Sequence, residues 1–300
     1  MGKDITVVLS VEVEAVAGWP PPEGTAASPS DLQRGIFAVE VGIPRLLKLF
    51  ERADVFSTWF IAGHAVETFP EQCRAVVDNG HEVGAHGYGC ENPAALSPQQ
   101  EAAIMDQAVG LISRLAGHAP QGYSAPGWQL SPRTPALLRQ HGFTYDHSQQ
   151  HKDFAPYYLR LGEAWLPPDL ANCPAGSAAV VQARQDPDLV EIPANWYLDD
   201  RPPLMYARSR RGTHGFVSPR VIEDMWKQQF EWVYRHLQYA VFPITLHPEV
   251  SGRPQCLMML ERLIAYFKTF EAVRFTTMAE AAAAFRRRFP ASGTERPAEA

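Results

Sequence analysis

The chain has 300 residues, is 46% hydrophobic and carries a formal net charge of −6, which is enough apolar material for one sizeable core. Its longest unbroken basic run is Arg286-Arg287-Arg288, too short to suggest a nucleic-acid partner, and no apolar stretch approaches the length of a membrane span. Cys73, Cys90, Cys173 and Cys256 are scattered, without the spacing of a disulfide framework or a zinc finger. The N-terminal residues lack the apolar region of a secretory signal, so the expected setting is reducing and cytoplasmic.

Residues 5–11 read as a first strand, and residues 37–51 carry apolar side chains at helical spacing. A second strand covers 55–61. A helix follows over 69–78, with Pro70 in its first turn and Gly80 just past its end. Residues 81–85 form a short third strand. Ser97-Pro98-Gln99-Gln100 opens a helix with a capping box that stops at Gly117. Strands are predicted over 122–125 and 143–145, separated by a helix that starts at Ser131-Pro132 and stops at Gly142. Residues 165–188, rich in Pro, Ala and Gly, read as a long loop. A strand over 189–193 precedes a helix opened by Ser218-Pro219 that holds Trp226, Phe230, Trp232 and Tyr234. Then come a strand over 241–246, a helix over 253–270 and a last strand over 273–276. Thr277-Met278-Ala279-Glu280 caps the final helix. One domain over residues 1–287 with a disordered polar tail over 288–300 is expected.

Alternation of strands and helices at this length points to parallel strands with covering helices. An open sheet and a closed or distorted barrel both fit. The barrel is favoured by where the reactive side chains fall. Glu12 and Glu14 end the first strand, His86 and Cys90 follow the third, Asp199 follows the 189–193 strand, and His247 ends the 241–246 strand. In α/β barrels the carboxyl ends of the strands make the active face.

Each of these residues has a chemical and a plain structural reading. Glu12 and Glu14 alternate on one strand and face the same side. Two such carboxylates hold a cation or share a proton, or simply end an exposed strand. His86 and Cys90, four apart, suit zinc or an imidazole-assisted thiol nucleophile. The plain reading is a loop-holding histidine and a small buried cysteine. His247, followed by Pro248 and a Gly252-Arg253-Pro254 turn, reads as a general acid or substrate clamp rather than a core histidine. Residues 195–200, Asn-Trp-Tyr-Leu-Asp-Asp, suit a pocket wall as well as an ordinary loop. Arg34 clamps an anionic or carbonyl group, or pairs with Asp31.

Beside these residues stand longer ordered stretches: AVAGW at 15–19, GIPRLLKLF at 42–50, TWFI at 58–61, ETFPEQ at 67–72, GHEVGAHGY at 80–88, ENP at 91–93, EIPANWYLDD at 191–200 and HPEVSGRP at 247–254. On them the chain resembles the cytoplasmic branch of the polysaccharide deacetylases (NodB homology). That branch includes peptidoglycan deacetylase-like proteins, cyclic-imide hydrolases and metal-independent allantoinases. The resemblance implies an α/β fold, a single-domain distorted (β/α) barrel of NodB-homology type. It implies Glu12 in the slot of the catalytic base and Glu14, His86 and Cys90 in the metal-ligand slots, with His86 also in a catalytic role. It implies His247 as the acid, and Trp19, Arg34, Tyr88, Trp128, Trp196, Tyr197, Asp199 and Glu249 around the substrate. The family's usual site has aspartates where Glu12 and Glu14 stand, a second histidine where Cys90 stands, and commonly Asp at 249 and a bulky aromatic at 127, where this chain has glycine. Each added methylene moves a carboxylate by about one carbon–carbon bond, and catalytic groups need placement within about half an ångström.

Three readings follow. The first is a hydrolase of an amide or cyclic-imide carbon–nitrogen bond in a small soluble substrate, with zinc at Glu14, His86 and Cys90 if the site holds a metal and no cofactor otherwise. The second is a metal-independent enzyme using Glu/His acid–base chemistry for a cyclisation or rearrangement. The third is a non-catalytic binding protein on the same fold. The resemblance also implies a homo-oligomer, a tetramer, with no nucleic-acid or membrane partner.

Overall fold

The computed structural model describes residues 2–21, 26, 28–161, 184–206 and 215–291. Its centre is strand β1, Asp4–Val13, ten residues rich in valine and buried on both faces, as the middle strand of a parallel sheet must be. Around it stand β2 (Thr58–Ile61), β3 (Glu82–Ala85), β4 (Gly122–Tyr123), β5 (Tyr145–Asp146), β6 (Tyr157–Leu161), β7 (Arg184–Glu191), β8 (Tyr239–Leu246) and β9 (Val273–Thr276). The sheet order is β6-β7-β5-β4-β3-β2-β1-β8, with β9 also on β1. Strand β1 is long enough to take β9 along Ile5–Val8 and β2 along Ser10–Val13. The sheet curls strongly: the Val241 amide of β8 donates to the Phe154 carbonyl at 2.9 Å, and Asp199 bridges to Thr245 of β8. The result is the distorted barrel that the resemblance implies.

The ladder registers place the site. Val11 pairs with Leu246, so the next residues, Glu12 and His247, emerge side by side. Ile61 pairs with Ala85 and Ala85 with Tyr123, so His86 and Ser124 leave the sheet at the same level. Tyr123 pairs with Asp146, which brings His147 and Ser148 into the same ring.

Three features differ from the expectation. The sheet is mixed, because β6 runs antiparallel to β7; its five residues follow Pro156 and are too few for a clear period. Strand β7 begins at Arg184, so residues 184–188 of the expected loop belong to a strand, while residues 162–183 lie outside the described residues. The helix expected over 37–51 starts earlier, at Pro29 behind the Ser28 cap, and passes through a π-helical turn, Ala38–Gly42, into Ile43–Ala53. At that turn Gly42 packs against the Pro248 carbonyl, which leaves no room for a Cβ and holds the chain just beyond His247. Both expected capping boxes are present, at Ser97/Gln100 and Thr277/Glu280. The last helix runs Met278–Arg288, and residues 292–300 of the expected tail lie outside the described residues. Among the described residues no helix is long and apolar enough to cross a membrane.

The core includes Trp59, fully buried against Phe50, its indole N–H donating to Ser57 Oγ at 2.9 Å. Trp59→Ala is expected to cost ~3–5 kcal/mol of unfolding free energy, measured by denaturant titration.

Candidate active site

Glu12 is 3% exposed, His86 fully buried and His247 1% exposed. Glu12 Oε1 accepts from Ser124 Oγ at 2.9 Å, and Glu12 Oε2 accepts from His247 Nε2 at 3.2 Å. On the far side of its ring, His247 Nδ1 donates to Asp200 Oδ1 at 2.7 Å. The His247 amide (3.0 Å) and the Ser251 hydroxyl both donate to Asp200 Oδ2. Asp199 Oδ1 lies 3.4 Å from His247 Nδ1. His247 is thus a ring donating from both nitrogens between carboxylates, the form of an imidazolium.

The electrostatics agree. Burial pushes the Glu12 carboxyl up, but the neighbouring His86 and the hydrogen bond from His247 outweigh it and hold Glu12 at about 2. Burial and the nearby Arg201 push His247 down, yet Asp199 and Asp200 raise it well above the ordinary imidazole range. Asp199 is lifted to about 7, by burial first and by the adjacent Asp200. At neutral pH Glu12 is a carboxylate and His247 carries a proton, the states required of a base and an acid.

Around this pair lies a second group. Glu14 Oε2 accepts from Arg201 Nη2 at 2.6 Å, and the same nitrogen donates to Glu249 Oε1 at 2.8 Å. Glu14 Oε1 accepts from Cys90 Sγ at 2.8 Å. Burial raises the Glu14 carboxyl, but Arg201 first and His86 next bring it well below the usual range. His86 Nδ1 is tied to the Ser124 carbonyl at 2.8 Å. Its Nε2 faces Glu14 at 3.7 Å and Glu12 at 3.9 Å without a hydrogen bond. The loop carrying Cys90, itself at φ 61°, is fastened by Glu91, which accepts from the Tyr88 and Gly89 amides at 2.9 and 2.6 Å. The longer Glu14 side chain fits because residue 18 is glycine: a Cβ there would stand 2.6 Å from Glu14 Oε2. Gly18→Ala is expected to destabilise the fold by ~1–3 kcal/mol through this overpacking, read by thermal melting.

The residues expected around the substrate divide. Asp199 and Glu249 join the charged centre. Trp128 and Trp196 pack with ring centroids 4.4 Å apart and planes tilted by 57°, and Trp128 stands edge-on to His147. Trp128 follows Gly127 with both at positive φ; glycine at 127 permits that turn and adds no bulk. Tyr88, in the same loop as Cys90, stands edge-on to His64 with its hydroxyl donating to Glu67 Oε2 at 2.7 Å. Trp19 is buried with Met205 and Val250. Arg34 lies over the Trp19 ring and donates to the Tyr206 carbonyl at 2.9 Å. Tyr197 is 72% exposed and lines a surface hollow with Phe154 and Trp232. Sequence reasoning missed Arg201, Ser124 and Ser251, and placed Asp200 only in the 195–200 pocket wall, not beside His247. A signal for Arg201 was present: Glu12, Glu14, Asp199 and Glu249 converge with few cations to balance them, and Arg201 directly follows Asp199 and Asp200.

If the site holds a metal, the resemblance implies Glu14, His86 and Cys90 as its ligands. Glu14 is the shared neighbour of the other two, but each of its oxygens already accepts a hydrogen bond, one of them from a guanidinium. A divalent ion on that carboxylate would sit beside a fixed positive charge. Among the described residues, one trio brings its ligand atoms within 4.8 Å of one another, Asp199, Asp200 and His247. Ligand atoms on a tetrahedral zinc at about 2.0–2.1 Å stand roughly 3.3 Å apart. The 2.7 Å contact between His247 and Asp200 is a hydrogen bond, and the remaining Asp200 oxygen holds an amide and a hydroxyl. The donor atoms as arranged do not fit a closed metal centre at either place.

Comparison with known proteins identifies the family. Residues 38–145 match the polysaccharide deacetylase family. A peptidoglycan deacetylase of Helicobacter pylori is 50% identical over 290 residues, which cover 97% of this chain and 99% of that one. The peptidoglycan deacetylase-like protein FGM2 of Gibberella zeae is 36% identical over 297 residues, 94% of this chain and 86% of its own. A Mycobacterium smegmatis crystal structure named for the same family superposes with a TM-score of 0.80 at 25% identity, over 100% of this chain and 96% of that one. With half of its residues identical to a deacetylase along nearly the whole of both chains, this protein belongs to the polysaccharide deacetylase family.

Proposed function

We propose that the protein hydrolyses an amide-type carbon–nitrogen bond of a small soluble molecule, with Glu12 as general base and His247 as general acid. The observation that carries this reading is the buried line from Asp200 through His247 to Glu12, at 2.7 and 3.2 Å. A substrate amide enters beside Glu12 and His247 with a water molecule next to Glu12. Glu12 takes one proton as the water oxygen bonds to the carbonyl carbon. The carbon–nitrogen bond then breaks as His247 gives its Nε2 proton to the departing nitrogen, leaving an amine and a carboxylic acid. Ser124 holds the base, Asp200 holds the acid, and His86 Nε2, aimed between Glu12 and Glu14, is placed to touch water or substrate.

A small substrate is favoured by depth. The reacting side chains are almost wholly buried, so a compact group reaches them more readily than a residue inside a polymer. The tilted Trp128–Trp196 pair offers aromatic surface for it.

The test is a release assay for amine and free acid on two panels: N-acetylated sugars and peptidoglycan fragments, as the relatives' names suggest, and small cyclic imides and amides. Turnover of the small panel that is lost in the Glu12→Gln variant is the expected result. Turnover of peptidoglycan alone would overturn the small-substrate reading, and no hydrolysis of either panel would overturn the hydrolase.

A further inference from the structure

We propose that Arg201 stands in for a metal ion at this site: its guanidinium occupies the position from which a cation would bind Glu14, and while it remains there the pocket takes up no divalent metal. Four observations converge. Glu14 and Glu249, from the end of β1 and the helix Pro248–Ser251, reach the same nitrogen, Arg201 Nη2, at 2.6 and 2.8 Å. At both positions glutamate is the longer carboxylate, and both side chains are nearly buried, 2% and 7% exposed. Arg201 is itself only 17% exposed, and its Nε is buried without an acceptor, so the guanidinium is part of the interior of the site. His86 Nε2, the nitrogen facing this carboxylate, is likewise buried without a hydrogen bond. A buried charge is tolerated only when paired, and two carboxylates around one guanidinium form a set that a dication could replace only by expelling the guanidinium.

The chemistry of such a substitution is that of a fixed charge. A guanidinium cannot act as a Lewis acid, and it does not lower the pKa of a bound water as zinc does. It is a permanent cation with planar, directed donors. The burden of activating water then falls on Glu12, consistent with the direct Glu12–His247 contact.

The inference relies on the amide-hydrolysis reading only for that consequence in turnover. Metal uptake is read on the resting protein, so loss of one does not entail loss of the other. The probe is cobalt(II), which reports a thiolate ligand by a near-ultraviolet charge-transfer band. It is titrated into metal-stripped wild type, Arg201→Leu, Arg201→Lys and the Arg201→Leu/Cys90→Ser double variant, each checked for folding by circular dichroism. Wild type and Arg201→Lys are expected to show no stoichiometric uptake. Arg201→Leu is expected to bind about one equivalent, roughly 100-fold or more tighter than wild type. The thiolate band should appear in that variant and vanish in the double variant, and cobalt should raise its melting temperature. Arg201→Gln, which keeps a hydrogen-bonding side chain without the charge, is the companion variant should the leucine protein fail to fold. Stoichiometric cobalt uptake by wild type with Arg201 in place overturns the proposal. So does a folded Arg201→Leu or Arg201→Gln protein that binds cobalt no better than wild type, because Arg201 would then not be occupying a metal position.

Discussion

Glu12→Gln is expected to lower kcat/KM by ~10²–10⁴-fold while leaving the fold intact. The amide keeps the shape of the side chain and can still accept from Ser124, which at present donates to Glu12 Oε1 at 2.9 Å. What it loses is the capacity to take a proton. The effect should fall on kcat, since the carboxylate is needed for proton removal more than for holding substrate. His247→Ala is expected to lose a similar factor. The double variant should be hardly worse than the poorer single one, because groups that act as a unit are not additive. Steady-state kinetics on the substrate found by the release assay decide the matter. Activity within a few fold of wild type in Glu12→Gln would remove Glu12 from the role of base.

Asp200→Asn is expected to act through His247. Asp200 accepts from the ring at 2.7 Å, from the His247 amide at 3.0 Å and from Ser251, so it both charges and orients the imidazole. With Asp199 it raises His247 well above the ordinary imidazole value, while Glu12 is held at about 2. The working form, Glu12 ionised and His247 protonated, therefore spans the neutral range. Activity should be flat there and fall on the alkaline side, where His247 gives up its proton. Removing the Asp200 charge lowers the His247 pKa, so the alkaline fall must move to lower pH. By the same logic that governs the orienting carboxylate of a serine-protease triad, kcat should also drop by ~10²–10⁴-fold. The measurement is kcat against pH for both proteins. A lower kcat with an unmoved alkaline limb would mean that Asp200 only positions the ring.

Glu12, Glu14, His86, Cys90 and His247 were legible from the sequence because each follows a short apolar run that reads as a strand, and strand ends gather on one face of such a fold. Glu249 and Asp199 were legible only as members of a pocket. Their partners were not: Asp199 meets His247, and Glu249 meets Arg201, 48 residues away in sequence. Arg201 carries no periodic or motif signal, and arginines beside acids are common on surfaces. Strand β6 was missed because five residues after a proline give too little period, and its pairing with β7 is non-local.

Read along the chain, local pattern specifies the strands and helices other than β6, the helix caps at Ser97 and Thr277, and the list of reactive groups at strand ends. All of these depend on near neighbours: side-chain periodicity, capping and turn chemistry act over a few residues. Which carboxylate faces which cation is settled by packing. Register sets Glu12 beside His247, the bend after β7 carries Asp199, Asp200 and Arg201 back to β8, and burial turns those contacts into a base, an acid and a held guanidinium. Charge–charge energies depend on distance and solvent exclusion, and neither quantity exists until the chain has folded.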